Sequence, residues 1–76
     1  MTLDRLPVGQ EGRVRELLPR GGIRQRLMDM GLIEGTKICC VRKSPGGDPV
    51  IFCFRDTMIA LRNEDSVNVL VEDVGI

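Results

Sequence analysis

Three cysteines are the residues of this sequence with the most distinctive chemistry, and they flank one polar loop. If a hairpin pairs Lys43 with Val50, then Cys40 lies directly opposite Cys53. A shift of one residue would oppose Cys39 to Cys53 instead. Either geometry permits a thiol pair, but the chain has no CxxC spacing. Reduced thiols that pack as small apolar groups are therefore the favoured interpretation.

Catalysis is disfavoured by a residue type that the chain lacks. The sequence contains no histidine, which removes the commonest general base and the commonest metal ligand together. Neither Ser44 nor Ser66 has a recognisable partner base, and Glu64-Asp65 is predicted to be a solvated turn rather than an acid/base pair. We therefore predict no enzymatic activity, no catalytic residues and no cofactor-binding residues.

Carboxylates offer an alternative chemistry, which is the binding of a divalent transition metal. Asp29, Glu34 and Asp48 carry oxygen ligands, and Cys40 or Cys53 could add a thiolate for Fe²⁺ or Zn²⁺. Such a site requires these side chains to converge, which the sequence does not show. Surface solvation is the favoured role of the carboxylates, and a weak metal site is the alternative.

The charge balance argues against nucleic-acid binding. Eleven basic and eleven acidic residues cancel, so the chain lacks the positive field that attracts phosphates. The aromatic residues are two Phe, with no Tyr or Trp, so platforms for stacking bases are also missing. The segment Arg20-Gly21-Gly22 matches no phosphate-loop pattern and is predicted to be a flexible connector.

The apolar segments indicate a cytoplasmic protein. The first seven residues include an acidic side chain and lack the long apolar core of a secretory signal. No later apolar run approaches the length that is needed to cross a membrane. We expect one domain over residues 1–76, because a chain of this size has room for a single core.

A short amphipathic helix is predicted over residues 23–30. Leu27 and Met30 recur at helical spacing and are expected in the core, whereas Met28 and Leu32 are expected to be more exposed. Gly31 stands where a left-handed C-terminal cap is wanted, and Leu32 can fold back onto the last helical turn.

Five segments have the composition of short β-strands: residues 12–17, 37–43, 50–54, 57–61 and 66–71. A two-residue loop at Arg55-Asp56 would give one continuous apolar face, although a bulge or a longer loop is an alternative. The pairs in that register are Phe54 with Thr57, Phe52 with Ile59, and Val50 with Leu61. A short twisted sheet buries such a face by curling, with the helix over its open end, so we predict a small antiparallel β-barrel.

Three motifs in this order resemble the FeoA family. They are residues 26–36 (RLMDMGLIEGT), residues 45–49 (PGGDP) and residues 60–62 (ALR). The first, with the pattern R-L-x-x-x-G-L-x-x-G-T, is the most specific, and the similarity spans almost the whole chain. Asp56 departs from the glycine that is common at that hairpin in the family, and the three cysteines are not a family signature.

The resemblance implies an SH3-like barrel that acts in the cytosol as an accessory protein of ferrous-iron uptake. Its implied partner is the GTP-binding cytosolic part of FeoB, the ferrous-iron permease, so contact with the membrane would be indirect. The alternatives are a small sensor or carrier of Fe²⁺ or Zn²⁺, and a stand-alone relative of the SH3-like domain of metal-dependent repressors. Homo-oligomerisation is a further expectation.

Six residues are predicted to bind the partner. Met28 and Leu32 are proposed as exposed apolar contacts, and Asp48 stands at the tip of a polar loop, where binding residues are common. The other three, which match the family pattern, are Arg26, Gly47 and Pro49.

Overall fold

The computed structural model describes residues 1–20 and 22–73. Gly21, in the predicted connector, and residues 74–76 lie outside the described residues. Strands β1 (Glu11–Leu17), β2 (Lys37–Lys43), β3 (Val50–Phe54), β4 (Thr57–Leu61) and β5 (Val69–Asp73) form one antiparallel sheet in the order β4-β3-β2-β1-β5. Helix α1 (Arg24–Asp29) lies between β1 and β2, and helix α2 (Asn63–Ser66) lies between β4 and β5. The prediction of a small five-stranded β-barrel with an inserted helix is confirmed.

Side chains from all five strands meet in one buried cluster, which also takes residues from the N-terminal segment and from α1. Its members are Leu3, Leu6, Val14, Leu17, Leu27, Leu32, Ile38, Cys40, Val50, Phe52, Phe54, Leu61, Val69 and Val71. Strands β3 and β5 bury alternate residues, as expected for a sheet with one face toward the core. In β1 the alternation breaks after Val14, where the register with β5 shifts. Within the described residues, no helix has the length and hydropathy needed to cross a membrane.

The β3–β4 hairpin has the predicted two-residue loop and register, with Val50 opposite Leu61. Both loop residues adopt positive φ, 50° for Arg55 and 62° for Asp56, which is the geometry of a tight turn between twisted strands. Arg55 tolerates this conformation although it has a Cβ, so glycine is not required at the turn. The alternative of a bulge at this loop is wrong.

The predicted fifth strand begins too early. Ser66 lies in α2, and β5 starts at Val69. Glu64 and Asp65, predicted to form a turn, occupy the first turn of α2, where acidic side chains interact favourably with the helix dipole. Ser66 is fully buried, and its hydroxyl donates a 3.4 Å hydrogen bond to the carbonyl of Asn63.

Candidate functional site

The C-terminus of α1 is closed by the backbone pattern known as a Schellman motif. Leu32 N donates to Leu27 O at 2.9 Å, and Gly31 N donates to Met28 O at 3.0 Å. Gly31 has a φ of 102°, which glycine adopts without the steric penalty of a Cβ. The predicted cap is confirmed, and the chain reverses direction at this point.

A turn that follows α1 is fastened by the hydroxyl of Thr36. Its Oγ1 donates to Gly31 O at 3.1 Å and accepts from Ile33 N at 3.2 Å. Gly35 has a φ of 91° and donates its N–H to Val14 O at 2.7 Å, which ties the turn to β1. The matched positions of residues 26–36 therefore largely specify how the chain returns from α1 to the sheet.

The reversal at Gly31 overturns three predictions about exposure. Leu32 is fully buried, because the Schellman motif turns it back onto Leu27 and into the core. Met30, the C-cap residue of α1, is 40% exposed rather than buried. Met28 is half-buried and packs against the core cluster.

A cleft of about 390 Å³ opens between α1 and the end of β1, and we call it the α1 cleft. The guanidinium of Arg24 donates from Nε to Leu17 O at 3.1 Å, which fixes α1 against the strand. Met28 and Ile33 give the cleft apolar walls, and Glu34 adds a charge at the rim. Ile33 is 42% exposed, so an apolar side chain is presented to solvent there.

Asp48 connects the loop between β2 and β3 to the start of α2. Its Oδ1 accepts from Asn63 N at 3.0 Å, and its Oδ2 lies 4.0 Å from a guanidinium nitrogen of Arg62. Gly47, with a φ of 86°, donates its N–H to Ser44 O at 2.7 Å and closes the loop. Asp48 therefore caps a helix that is distant in sequence, a role that the sequence did not predict.

The six predicted partner-binding residues do not form one surface. Three of them, Arg26, Met28 and Leu32, lie in α1 or just after it. This end of α1 is near the β3–β4 turn, because a Cβ added at Gly31 would stand 3.2 Å from Arg55 Cδ. Gly47, Asp48 and Pro49 lead into the opposite end of β3. A strand of five residues spans about 16 Å, so the two groups lie at different ends of the sheet.

Cys39 and Cys40 are consecutive residues and therefore face opposite sides of the sheet, and a bulge in β2 determines which of them is opposite Cys53. Lys43 pairs with Val50 as predicted, but the register shifts between Cys40 and Arg42, and Cys39 is therefore opposite Cys53. The opposition of Cys40 to Cys53 was wrong, because a bulge exchanges the faces of the residues before it. All three thiols are free. Burial raises the pKa of the Cys40 thiol; of the nearby charges, Lys43 lowers that pKa and Cys39 raises it.

Ile33 and Met30 are the exposed apolar residues near α1 that sequence reasoning missed. The signal was present in residues 31–33: a hydrophobic residue that follows a glycine cap packs back onto the helix, so the next side chain faces outward.

Comparison with known proteins agrees with the resemblance to the FeoA family. The FeoA domain model matches residues 1–73. The chain is 33% identical over 72 residues to the Fe(2+) transport protein A/Fe(2+) transporter FeoB fusion protein of Porphyromonas gingivalis; the match covers 95% of this chain and 8% of the fusion protein's length.

Two solved structures resemble the fold closely. The FeoA protein of Chlorobium tepidum superimposes with a TM-score of 0.91 at 28% identity, over 99% of this chain and 71% of that one. The FeoA of Stenotrophomonas maltophilia, described as a prokaryotic SH3 domain protein complexed with zinc, has a TM-score of 0.86 at 30% identity, over 95% of this chain and 89% of that one. The predicted SH3-like fold is confirmed.

The zinc is a property of the Stenotrophomonas structure, and a comparable site in the present chain would need its own group of ligands. Among residues 1–20 and 22–73, no three His, Cys, Asp or Glu side chains come together in a group that could hold a metal ion. Asp29, Glu34 and Asp48 thus do not converge, so the weak carboxylate site considered above has no support in the described residues.

Proposed function

Since the chain belongs to the FeoA family, we propose that it is a cytosolic, non-catalytic accessory protein of ferrous-iron transport that binds the GTP-binding cytosolic part of a FeoB-type permease. The observation that carries this proposal is the Porphyromonas relative, in which a similar segment and a FeoB transporter are named as parts of one polypeptide. Fusion keeps two modules at high effective concentration, which favours a contact between them.

The surface that we propose for this contact is the α1 cleft, where the exposed side chain of Ile33 forms part of the wall. Exposed apolar side chains gain free energy when a partner removes them from water, and charged rims add specificity. Met28 and Ile33 supply the apolar part, and Arg24 and Glu34 carry opposite charges at the cleft. Arg26 is exposed on α1 but does not line the cleft, because it stands two residues from both Arg24 and Met28 and therefore lies on another side of the helix.

A binding titration tests the proposal. The permease's purified cytosolic domain is titrated with this protein in the presence of a GTP analogue, GDP or no nucleotide. We expect saturable binding whose affinity depends on the nucleotide. Absence of binding in all three states would overturn the proposed partner.

Two matched substitutions locate the contact. Ile33 is 42% exposed and Val67, at the end of α2, is 41% exposed, so Ile33→Ala and Val67→Ala remove similar apolar surface at different places. If Ile33 is one of the few side chains that dominate the contact, Ile33→Ala weakens binding by roughly tenfold, or about 1.4 kcal/mol, whereas Val67→Ala has no effect. Equal effects, or the reverse order, would exclude the α1 cleft as the binding surface.

A further inference from the structure

Three sulfur-bearing side chains form a row across neighbouring strands of the sheet. Cys39 in β2 is directly opposite Cys53 in β3, and Cys53 is directly opposite Met58 in β4. Side chains that are opposite each other in an antiparallel sheet are neighbours on the same face. Neither the family resemblance nor the proposed function accounts for this row.

The row lies on the outer face of the barrel. Cys39 and Cys53 are half-buried and Met58 is 61% exposed, whereas their chain neighbours Cys40 and Phe52 are in the core. The sulfur atoms are therefore accessible to a small solute. The row is also separate from the α1 cleft, since none of its members lines that cleft.

The backbone hydrogen bonds determine how far apart the two thiols stand. Cys40 N donates to Gln10 O at 3.0 Å, and Gly9 N donates to Cys40 O at 2.8 Å, so the polar backbone groups of Cys40 point toward the β1 side. Those of Cys39 consequently point toward β3, which makes Cys39 and Cys53 a hydrogen-bonded pair.

That spacing suits a bridging ion better than a disulfide. Opposite residues of a hydrogen-bonded pair have Cα atoms about 5.5 Å apart and Cβ atoms near the upper end of about 4.5–5.5 Å. A disulfide needs Cβ atoms about 3.8 Å apart. Two metal–sulfur bonds of about 2.3 Å can span the wider gap.

The donor set indicates which ion the row would take. Thiolate and thioether ligands select soft ions such as Cu(I), whereas carboxylates and imidazoles suit harder ions. The described residues provide no third His, Cys, Asp or Glu ligand beside the two thiols. The thioether of Met58, in the strand next to Cys53, can supply the third donor.

We propose that Cys39, Cys53 and Met58 form a surface site for one Cu(I) ion. Each cysteine loses its S–H proton to solvent and forms a sulfur–copper bond, so the bis-thiolate complex carries one negative charge; the thioether adds a neutral third donor. Cys39 Sγ contacts Cys40 O at 3.8 Å in the free protein and reaches the ion by a change of side-chain rotamer.

Anaerobic competition between the reduced protein and bicinchoninate for Cu(I) tests the site. We expect one Cu(I) per chain for the wild type and loss of competition for Cys39→Ser and for Cys53→Ser. Met58→Leu should weaken binding by roughly 10- to 100-fold, the loss typical of a supporting group at a metal site. Copper X-ray absorption should show three sulfur neighbours in the wild type and two in Met58→Leu.

Cys40→Ala is the matched control, because Cys40 adjoins Cys39 in the chain but faces the core. Its Cu(I) affinity should equal that of the wild type, with circular dichroism used to verify that each variant is folded. Wild-type affinity in either serine variant would overturn the site. So would Zn²⁺ that is retained by these two thiols against an excess of Cu(I).

Discussion

The carboxylate of Asp48 accepts the backbone N–H of Asn63, which is one of the donors left without a partner at the start of α2. Arg62, the N-cap residue of that helix, makes no capping hydrogen bond with its own side chain. Asp48, which is fifteen positions before Asn63, therefore provides the cap. Asp48 and Arg62 both match the family pattern, and the 4.0 Å approach of their side chains beside this cap gives a structural reason for that match.

We predict that Asp48→Ala lowers the free energy of unfolding by about 1 kcal/mol, the usual loss when a helix cap is removed. Asp48→Asn keeps an acceptor oxygen and should lower the free energy of unfolding by only about 0.3 kcal/mol. Urea midpoints of the two variants check the prediction. If Asp48→Ala has wild-type stability but impaired permease binding, Asp48 is a contact residue and the capping role is wrong.

Gly31 combines two constraints on the element that joins α1 to the sheet. Its φ of 102° disfavours any residue with a Cβ, and that Cβ would stand 3.2 Å from Arg55 Cδ. The Arg55 side chain is flexible and can give way, so the backbone conformation is the larger constraint. The helix terminus and the β3–β4 turn are thereby packed against each other.

We predict that Gly31→Ala lowers the free energy of unfolding by about 1–2 kcal/mol, the cost of a left-handed conformation for an L-residue. Gly46→Ala is the control, because a Cβ at Gly46 meets nothing within 4 Å and its φ is not in the left-handed region. Thermal unfolding of both variants provides the measurement. A loss that disappears when Arg55→Ala is added would assign the effect to the contact instead of the backbone.

Elements whose position is set by local chemistry were predictable from the sequence. The β3–β4 register follows from loop length and side-chain alternation, so the pairing of Val50 with Leu61 could be derived. The bulge in β2 could not, because an extra residue changes no local pattern but exchanges the faces of Cys39 and Cys40. The start of β5 was also missed, since its helical approach depends on a cap from Asp48.

At the scale of the whole molecule, two neighbouring residues belong to different parts of the structure. Leu32 belongs to the core cluster, whereas the next side chain, Ile33, is presented at the α1 cleft. A domain of this size has a total stability of roughly 4–11 kcal/mol, so the loss of one core side chain is a large part of it. The glycine cap at Gly31 distinguishes the two residues, because the residue that follows the cap packs back onto the helix.

We predict that Leu32→Ala lowers the free energy of unfolding by about 2–5 kcal/mol, whereas Ile33→Ala changes it by less than about 0.5 kcal/mol. Leu32→Met, which nearly conserves volume, should retain most of the stability and bind the permease normally. Denaturant unfolding together with the binding titration checks all three variants. Stable Leu32→Ala that fails to bind would restore Leu32 as a contact residue.

The bulge in β2 also has a consequence for how chain length can vary. Val41 is the extra residue, since Cys40 pairs with Phe52 and Arg42 pairs with Ile51. A chain that lacked Val41 would have a regular β2 in which Cys40 still faces inward and Cys39 still faces outward. Single-residue deletions can therefore be accommodated at this point during evolution without exchanging the two faces, whereas a deletion within residues 37–39 would move every preceding side chain of β2 to the opposite face.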